Sequence, residues 1–248
     1  MFARSLLSAC LLVMAGALHA AEAQVAVAAN FAEPVKAIAA LLQKTTGHTL
    51  KITVGSTGRL YAQIRNGAPF DVLLSADTHA PAQLEADGLA QPGSRFTYAA
   101  GKLVLWSADA TQVDSQGAVL KHGGFRKLAI ANPKTAPYGA ASIEVIDKLG
   151  LTAALKPRLV QGESIGQTYN FAFTGNAEIA FVAMSQVLEG GRLKSGSVWV
   201  VPQHLYAPIR QDAVLLKSGA TNEAAQALMQ LLKSPDVKSL IRSHGYDL

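Results

Sequence analysis

Short apolar runs alternate with stretches of helical periodicity along most of this 248-residue chain. Residues 24–29 form an apolar run that reads as a strand. Phe31, Val35, Ile38, Ala39 and Leu42 then recur at helical spacing as far as Gly47. A second strand is predicted over 50–54, a helix over 58–66, a third strand over 71–75 and a short helix running to Gly88. Strands alternating with helices of this length imply crossover units and parallel pairing.

The rhythm breaks over 98–107, where Lys102-Leu-Val-Leu-Trp106 reads as a strand with no strong helix directly after it. Alternation resumes with a strand over 128–131, a helix over 139–149, a strand over 158–161, a helix over 164–174 and a strand over 178–182. Strands over 198–201 and 213–216 follow, then helices over 222–232 and 235–244. The pattern implies two α/β lobes, each a mixed, mostly parallel sheet flanked by helices. The chain would cross between them near 101–107 and again near 208–214. The division expected is residues 24–103 with 212–248 for one lobe and 104–211 for the other. A cleft between such lobes is a natural ligand site, because ligands of open α/β sheets sit beyond the carboxyl ends of strands.

Composition narrows the class. Half the residues are hydrophobic, 16% are charged, and there are 21 glycines and 10 prolines, which fits a globular chain and neither a disordered one nor a coiled coil. The 22 Lys+Arg exceed the 17 Asp+Glu by five, with no block of like charge, so nucleic acid is not an expected partner. Residues 1–23 have the build of a secretory signal: Arg4, an apolar run from Leu6 to Leu18, then small residues, with cleavage after Ala20 or Ala23. That run is short of the ~20 apolar residues a spanning helix needs. Cys10 lies inside it, and Leu7-Ser8-Ala9-Cys10 imitates a lipoprotein box whose cysteine comes too early in the apolar region. A cysteine-free, exported, periplasmic monomer without membrane insertion is expected.

Polar chemistry gathers where strands turn into helices. Asn30 follows the first strand, and Asn30-x-x-Glu33 has the form of a capping box, with Pro34 delaying regular helix bonding. Gly55-Ser56-Thr57-Gly58, Pro137-Tyr138-Gly139 and Gly162-Glu163-Ser164-Ile165-Gly166 occupy three further junctions. Glycine admits close backbone approach, hydroxyls donate, and helix N-termini carry unpaired N–H groups and partial positive charge. Several aimed at one cleft would hold a small anion without a lysine. Each junction alone is also read as an ordinary cap, and Glu33 and Glu163 as first-turn capping residues.

A second reading is open at this stage. Gly162-Glu163-Ser164-Ile165-Gly166 fits the G-x-S-x-G elbow of hydrolases, with Ser164 as nucleophile, and His122-Gly123-Gly124 imitates an oxyanion loop. Asp212, Asp236, His204 and His244 sit at no spacing that compels a triad, and the six histidines show no metal-ligand pairing. Trp106 and Trp199 fall in strand patterns and read as core.

The blocks Val25-Ala-Val-Ala-Ala-Asn30-Phe31, Gly55-Ser-Thr-Gly58, Gly67-Ala-Pro-Phe-Asp71-Val-Leu-Leu-Ser75-Ala-Asp77, Gly101-Lys-Leu-Val-Leu-Trp106, Asn132-Pro133 with Pro137-Tyr138-Gly139, and Gly175-Asn176 resemble, in order, those of the periplasmic molybdate-binding proteins of ABC transporters. The resemblance implies a two-lobed periplasmic binding protein fold (type II) that closes on molybdate or tungstate and hands it to a membrane permease, with no cofactor and no catalysis. It implies that Asn30 donates from the first helix start, that Thr57 with Ser56 beside it supplies hydroxyls, and that Ile165 gives a backbone N–H. Some members carry a tyrosine ligand where this chain has Ala183, so the resemblance assigns the phenol to Tyr138. Proteins of this fold for iron or a polyamine are the remaining alternative; iron would want clustered tyrosines with a carboxylate or histidine.

Overall fold

The continuous apolar runs are strands covered on both faces, and this sets the architecture. In the computed structural model, which describes residues 20–248, β1 (Glu22–Ala28) leads through a 3-10 turn at Ala29–Phe31 into α1 (Ala32–Thr46). β2 (Thr49–Gly55), α2 (Thr57–Arg65), β3 (Val72–Leu74) and α3 (His79–Ala86) follow. β4 (Phe96–Gly101) and β5 (Leu103–Ser107) are separated only by Lys102, and α4 (Val119–His122) comes next. β6 (Leu128–Ala131), α5 (Pro137–Lys148), α6 (Thr152–Leu155), β7 (Leu159–Gly162), α7 (Ile165–Phe173) and β8 (Ile179–Ala183) restore the alternation. One-turn α8 (Met184–Val187), the ribbon of β9 (Leu188–Glu189) and β10 (Arg192–Leu193), and β11 (Ser197–Val200) precede β12 (Ile209–Leu215). The last elements are α9 (Glu223–Leu231) and α10 (Pro235–Ser243). The expected export segment with Cys10 lies outside the described residues except for positions 20–23.

Two five-stranded sheets result, ordered β2-β1-β3-β12-β4 and β11-β5-β8-β6-β7. Both are mixed. β1 runs parallel to β2 and β3, and β6 parallel to β7 and β8, as helical crossovers require. Pairing is antiparallel where β12 meets β3 and β4, and where β5 meets β8 and β11. The chain leaves the first sheet at Gly101, enters the second at Leu103, and re-enters the first at Ile209.

Each sheet buries both faces, which explains why the strands read as apolar runs rather than alternations. On the first sheet Val25, Val27 and Leu74 pack with Val35, Leu42 and Leu228, while Ala26, Leu73 and Val214 pack with Leu60, Ile64 and Leu84 on the other side. On the second, Leu105, Ile130 and Phe181 meet Val145 and Ile146, while Trp106, Ala180 and Val182 meet Ala172.

The differences from expectation have local causes. The helix predicted from Gly139 begins at Pro137, whose fixed φ and missing N–H suit the first helical position. The region 98–107 is two strands in two sheets, not one. The strand expected over 213–216 starts at Ile209, because the charged and polar residues Arg210, Gln211 and Asp212 hide its pattern. The register of β12 against β4 shifts between Gln211 and Asp212, the mark of a bulge.

Candidate functional site

Strand ends and helix starts from both lobes meet at the crossing. The turn after β1 and the N-termini of α2, α5 and α7 surround a cavity lined by Asn30, Ser56, Thr57, Tyr138 and Ile165 among alanines and Pro137. The centre of a water-sized sphere can explore about 10 Å3 there, room for a single water-sized group. No Asp, Glu, Lys or Arg lines it.

The five residues differ in what they leave free. Ser56 is the N-cap residue of α2 yet makes no cap bond, and its buried hydroxyl has no partner. Thr57 Oγ1 accepts from Ala76 N–H at 3.0 Å, leaving its hydrogen to donate elsewhere. Among the described residues no carbonyl accepts the backbone N–H of Tyr138 or Ile165, in the first turns of α5 and α7. Orphan N–H groups of this kind, at the positive ends of helices, are the donors an anion uses.

Asn30 does not form the capping box expected of it. α1 is preceded by Phe31, with no side-chain cap, because the 3-10 turn occupies the position where a cap would act. Asn30 Nδ2 instead donates to Gln211 Oε1 at 2.8 Å and Tyr246 Oη at 2.9 Å, and Asn30 Oδ1 is buried without a partner. Glu33 is no cap either; it pairs with Lys36 at 2.8 Å on the exposed side of α1.

Tyr138, to which the resemblance assigns the ligand phenol, is a fully buried side chain within the second lobe's core. Its hydroxyl ends beside Gly101 and accepts from Gln211 Nε2 at 3.2 Å, among residues that do not line the cavity. A Cβ on Gly101 would lie 1.9 Å from that oxygen, so only glycine lets the phenol pass between the crossing strands. Ala183, where a tyrosine would otherwise stand, is fully buried at the end of β8.

Gln211, Tyr98 and Tyr246 are the residues sequence reasoning missed. Tyr98 Oη has one hydrogen to share between Ser75 O at 3.0 Å and Gln211 Oε1 at 3.1 Å; Tyr246 Oη donates to Asn30 O at 2.8 Å. Burial pushes the hydroxyls of Tyr98, Tyr138 and Tyr246 above the ordinary tyrosine range, so all three remain protonated donors. This is the clustered-tyrosine arrangement an iron site would need, but an amide stands at its centre and phenolate is disfavoured.

The lobes touch around the cavity. Gly58 N–H donates to Thr135 O at 2.8 Å and Ser185 Oγ donates to Asn30 O at 2.8 Å. A Cβ on Gly58 would sit 3.0 Å from the Thr135 backbone, so this approach also depends on glycine. Arg59 and Glu163 face each other at 3.7 Å on the rim. Glu163 therefore serves the rim and does not cap α7. That cap is Ser164, whose hydroxyl accepts from Gln167 N–H while Gln167 Oε1 accepts from Glu163 N–H. The serine of the hydrolase elbow thus finishes a helix and has no histidine hydrogen bond among the described residues. No helix among them is long and apolar enough to cross a membrane, and no group of three or more His, Cys, Asp or Glu side chains is placed to hold a metal.

Comparison with known proteins places this geometry in a family. The family model for bacterial extracellular solute-binding proteins matches residues 23–247. The molybdate-binding protein ModA of Azotobacter vinelandii is 57% identical over 236 residues, 95% of this chain and 94% of that protein. ModA of Rhodobacter capsulatus is 56% identical over 237 residues, covering 95% and 92%. A solved structure of the periplasmic molybdate-binding protein of Azotobacter vinelandii superposes with a TM-score of 0.89 at 43% identity, over 91% of this chain and 99% of that one.

Proposed function

The chain belongs to the bacterial extracellular solute-binding proteins, and from that premise we propose that its cavity captures molybdate for delivery to the membrane permease of an ABC importer. The fold is the two-lobed, type II periplasmic binding protein fold. The relatives are named as binding proteins, not enzymes, and the ligand is cargo rather than a cofactor.

One observation carries the reading: Ser56 occupies a helix cap position and withholds its buried hydroxyl from that helix at the wall of an uncharged cavity. A buried hydroxyl without a partner costs about 1–3 kcal/mol, and a ligand acceptor removes that cost. Thr57 Oγ1 and the N–H groups of Tyr138 and Ile165 would add donors, with Asn30 completing the wall. A tetrahedral dianion loses its hydration on entry, and several hydrogen bonds to a charged acceptor, about 1.5–3 kcal/mol each, replace it. With Asn30 donating, as the resemblance implies, a wall of donors alone disfavours hydrogen phosphate, whose proton needs an acceptor, and sulfate is too small to reach them all. Tungstate, nearly the size of molybdate, should bind comparably.

The same reading divides the lobes where the chain changes sheet, at residues 24–102 with 209–248 and 103–208, a few residues from the expected boundaries, and has the protein act as a periplasmic monomer. Export would follow removal of the signal after Ala20 rather than Ala23. Cleavage at the later site would cut Glu22 and buried Ala23 from β1, where they pair with Thr49 and Leu50.

Titration calorimetry of residues 21–248 tests the function. Molybdate and tungstate should bind, sulfate more weakly, and hydrogen phosphate not at all. Molybdate that gives neither heat nor a rise in melting temperature would overturn it, because a bound ligand in excess must stabilise the fold.

A further inference from the structure

The cavity wall holds one group of the wrong polarity. Asn30 Oδ1 is a buried acceptor with no partner, on a residue that lines a cavity whose other free polar groups are donors. Both hydrogens of its Nδ2 are committed, to Gln211 Oε1 and Tyr246 Oη. Asn30 cannot turn alone, because its oxygen would then face Gln211 Oε1 across 2.8 Å. A second mismatch lies on the far side of Gln211. Tyr138 Oη accepts from Gln211 Nε2 at 3.2 Å, and no acceptor among the described residues takes the Tyr138 hydrogen.

Both mismatches vanish if the two amides turn together. The ends of an amide have nearly the same shape, so a half-turn exchanges oxygen and nitrogen without moving neighbours. Gln211 Nε2 would then donate to Asn30 Oδ1 and to Tyr98 Oη, which still donates to Ser75 O, while Tyr246 Oη would swing its hydrogen from Asn30 O, still held by Ser185 Oγ, to Asn30 Oδ1. Gln211 Oε1 would accept the Tyr138 hydrogen. Asn30 Nδ2 would face the cavity, with its hydrogens released for a ligand.

We propose that Gln211 is a positioning residue for the oxyanion site: turning with Asn30, it converts the acceptor at the cavity wall into a donor when a fully deprotonated oxyanion binds. This rests on the oxyanion function proposed above. The fold equips Gln211 for the role. It is fully buried on β12, beside the bulge, a device that re-aims side chains next to sites. Tyr138 comes from the second lobe while Asn30, Tyr98 and Tyr246 belong to the first. Gln211 therefore joins the Asn30 amide to a group that arrives only when the lobes are together.

The test is a double-mutant cycle on the molybdate dissociation constant, read by calorimetry. Gln211→Met and Asn30→Ala should each weaken binding about tenfold, in line with loss of one bond to a charged acceptor. Gln211→Met added to Asn30→Ala should weaken it less than about twofold further, since Gln211 acts through Asn30. A role independent of Asn30 would multiply the two losses, and that result would overturn the proposal. Should either variant fail to fold, neutron diffraction from the unaltered protein with molybdate gives the same decision. Asn30 Nδ2 toward the ligand and Gln211 Nε2 toward Asn30 is the expected result; Asn30 Oδ1 still toward the ligand overturns it. If the unaltered protein does not bind molybdate, both this inference and the proposed function fall; binding with a multiplicative cycle removes this inference alone.

Discussion

Ser56 and Ser164 occupy the same station in the two lobes and use it in opposite ways. Each follows a strand, each has an extended backbone, and each precedes a nine-residue helix. Ser164 is half-buried and spends its hydroxyl on Gln167 N–H, closing α7 in the manner of a capping box. Ser56 is buried, makes no cap bond, and keeps its hydroxyl unpaired at the cavity. One serine stabilises the fold; the other gives up that stabilisation and leaves a donor for a ligand. The lesson is that a residue's place in the local pattern does not fix its role. What decides is whether its hydrogen bond is made at home or withheld.

Substitution of each serine would sharpen this contrast. Ser56→Ala should raise the molybdate dissociation constant by about tenfold to a hundredfold, the loss of one hydrogen bond to a charged acceptor at about 1.5–3 kcal/mol. The melting temperature of the ligand-free protein should not fall, because the hydroxyl makes no bond there. An unchanged dissociation constant in calorimetry would break the comparison.

Alkaline titration comes next in size and contrasts the cavity with the cluster behind it. The hydroxyls of Tyr98, Tyr138 and Tyr246 have folded values raised above the ordinary 10 by burial, so the unfolded chain loses these protons first. Their contribution is complete below pH 10 and declines as pH rises above it, by about 1.4 kcal/mol per pH unit for each hydroxyl still protonated in the fold. Phenolate absorbance should therefore appear together with unfolding. Titration of all six tyrosines in a protein that keeps its circular dichroism would contradict the burial argument.

Ser164→Ala should cost about 1 kcal/mol of stability, the usual value of a lost serine cap, seen as a lower midpoint in urea. Its molybdate affinity should change far less than that of Ser56→Ala. Smallest of all is Glu163→Gln. The Arg59–Glu163 pair is exposed and 3.7 Å apart, so its removal should alter affinity by less than about 1 kcal/mol, and less still at high salt.

Much of the fold could be read from the chain because apolar periodicity changes sharply at each junction. β6 falls at residues 128–131, where the pattern puts it, and α9 and α10 lie within a residue of their predicted limits. The start of β12 was hidden because Arg210, Gln211 and Asp212 interrupt its apolar run, the last two buried by partners that local sequence does not reveal. The junction residues Asn30, Ser56, Thr57, Tyr138 and Ile165 were visible as polar or helix-opening positions, and all five line the cavity. What each offers there was not visible. Asn30 looked like a cap, yet the groups that hold its amide lie 181 and 216 positions away. Tyr138 looked like a donor by its phenol, but its hydroxyl lies behind the cavity because Gly101 opens a passage for it. Gln211 carried no signal at all, since its role depends on a bulge and on three tyrosines from distant segments.

The central claim is that neutral groups, left unpaired by the fold, hold the oxyanion. A crystal structure of the molybdate complex tests it most directly. The account predicts the oxyanion in the cavity between the lobes, with Ser56 Oγ, Thr57 Oγ1 and Ile165 N–H within hydrogen-bonding distance, Ser164 still capping α7, and no lysine or arginine in contact. Molybdate bound by charged side chains elsewhere, or Ser56 turned back to cap α2 beside an occupied cavity, would contradict it.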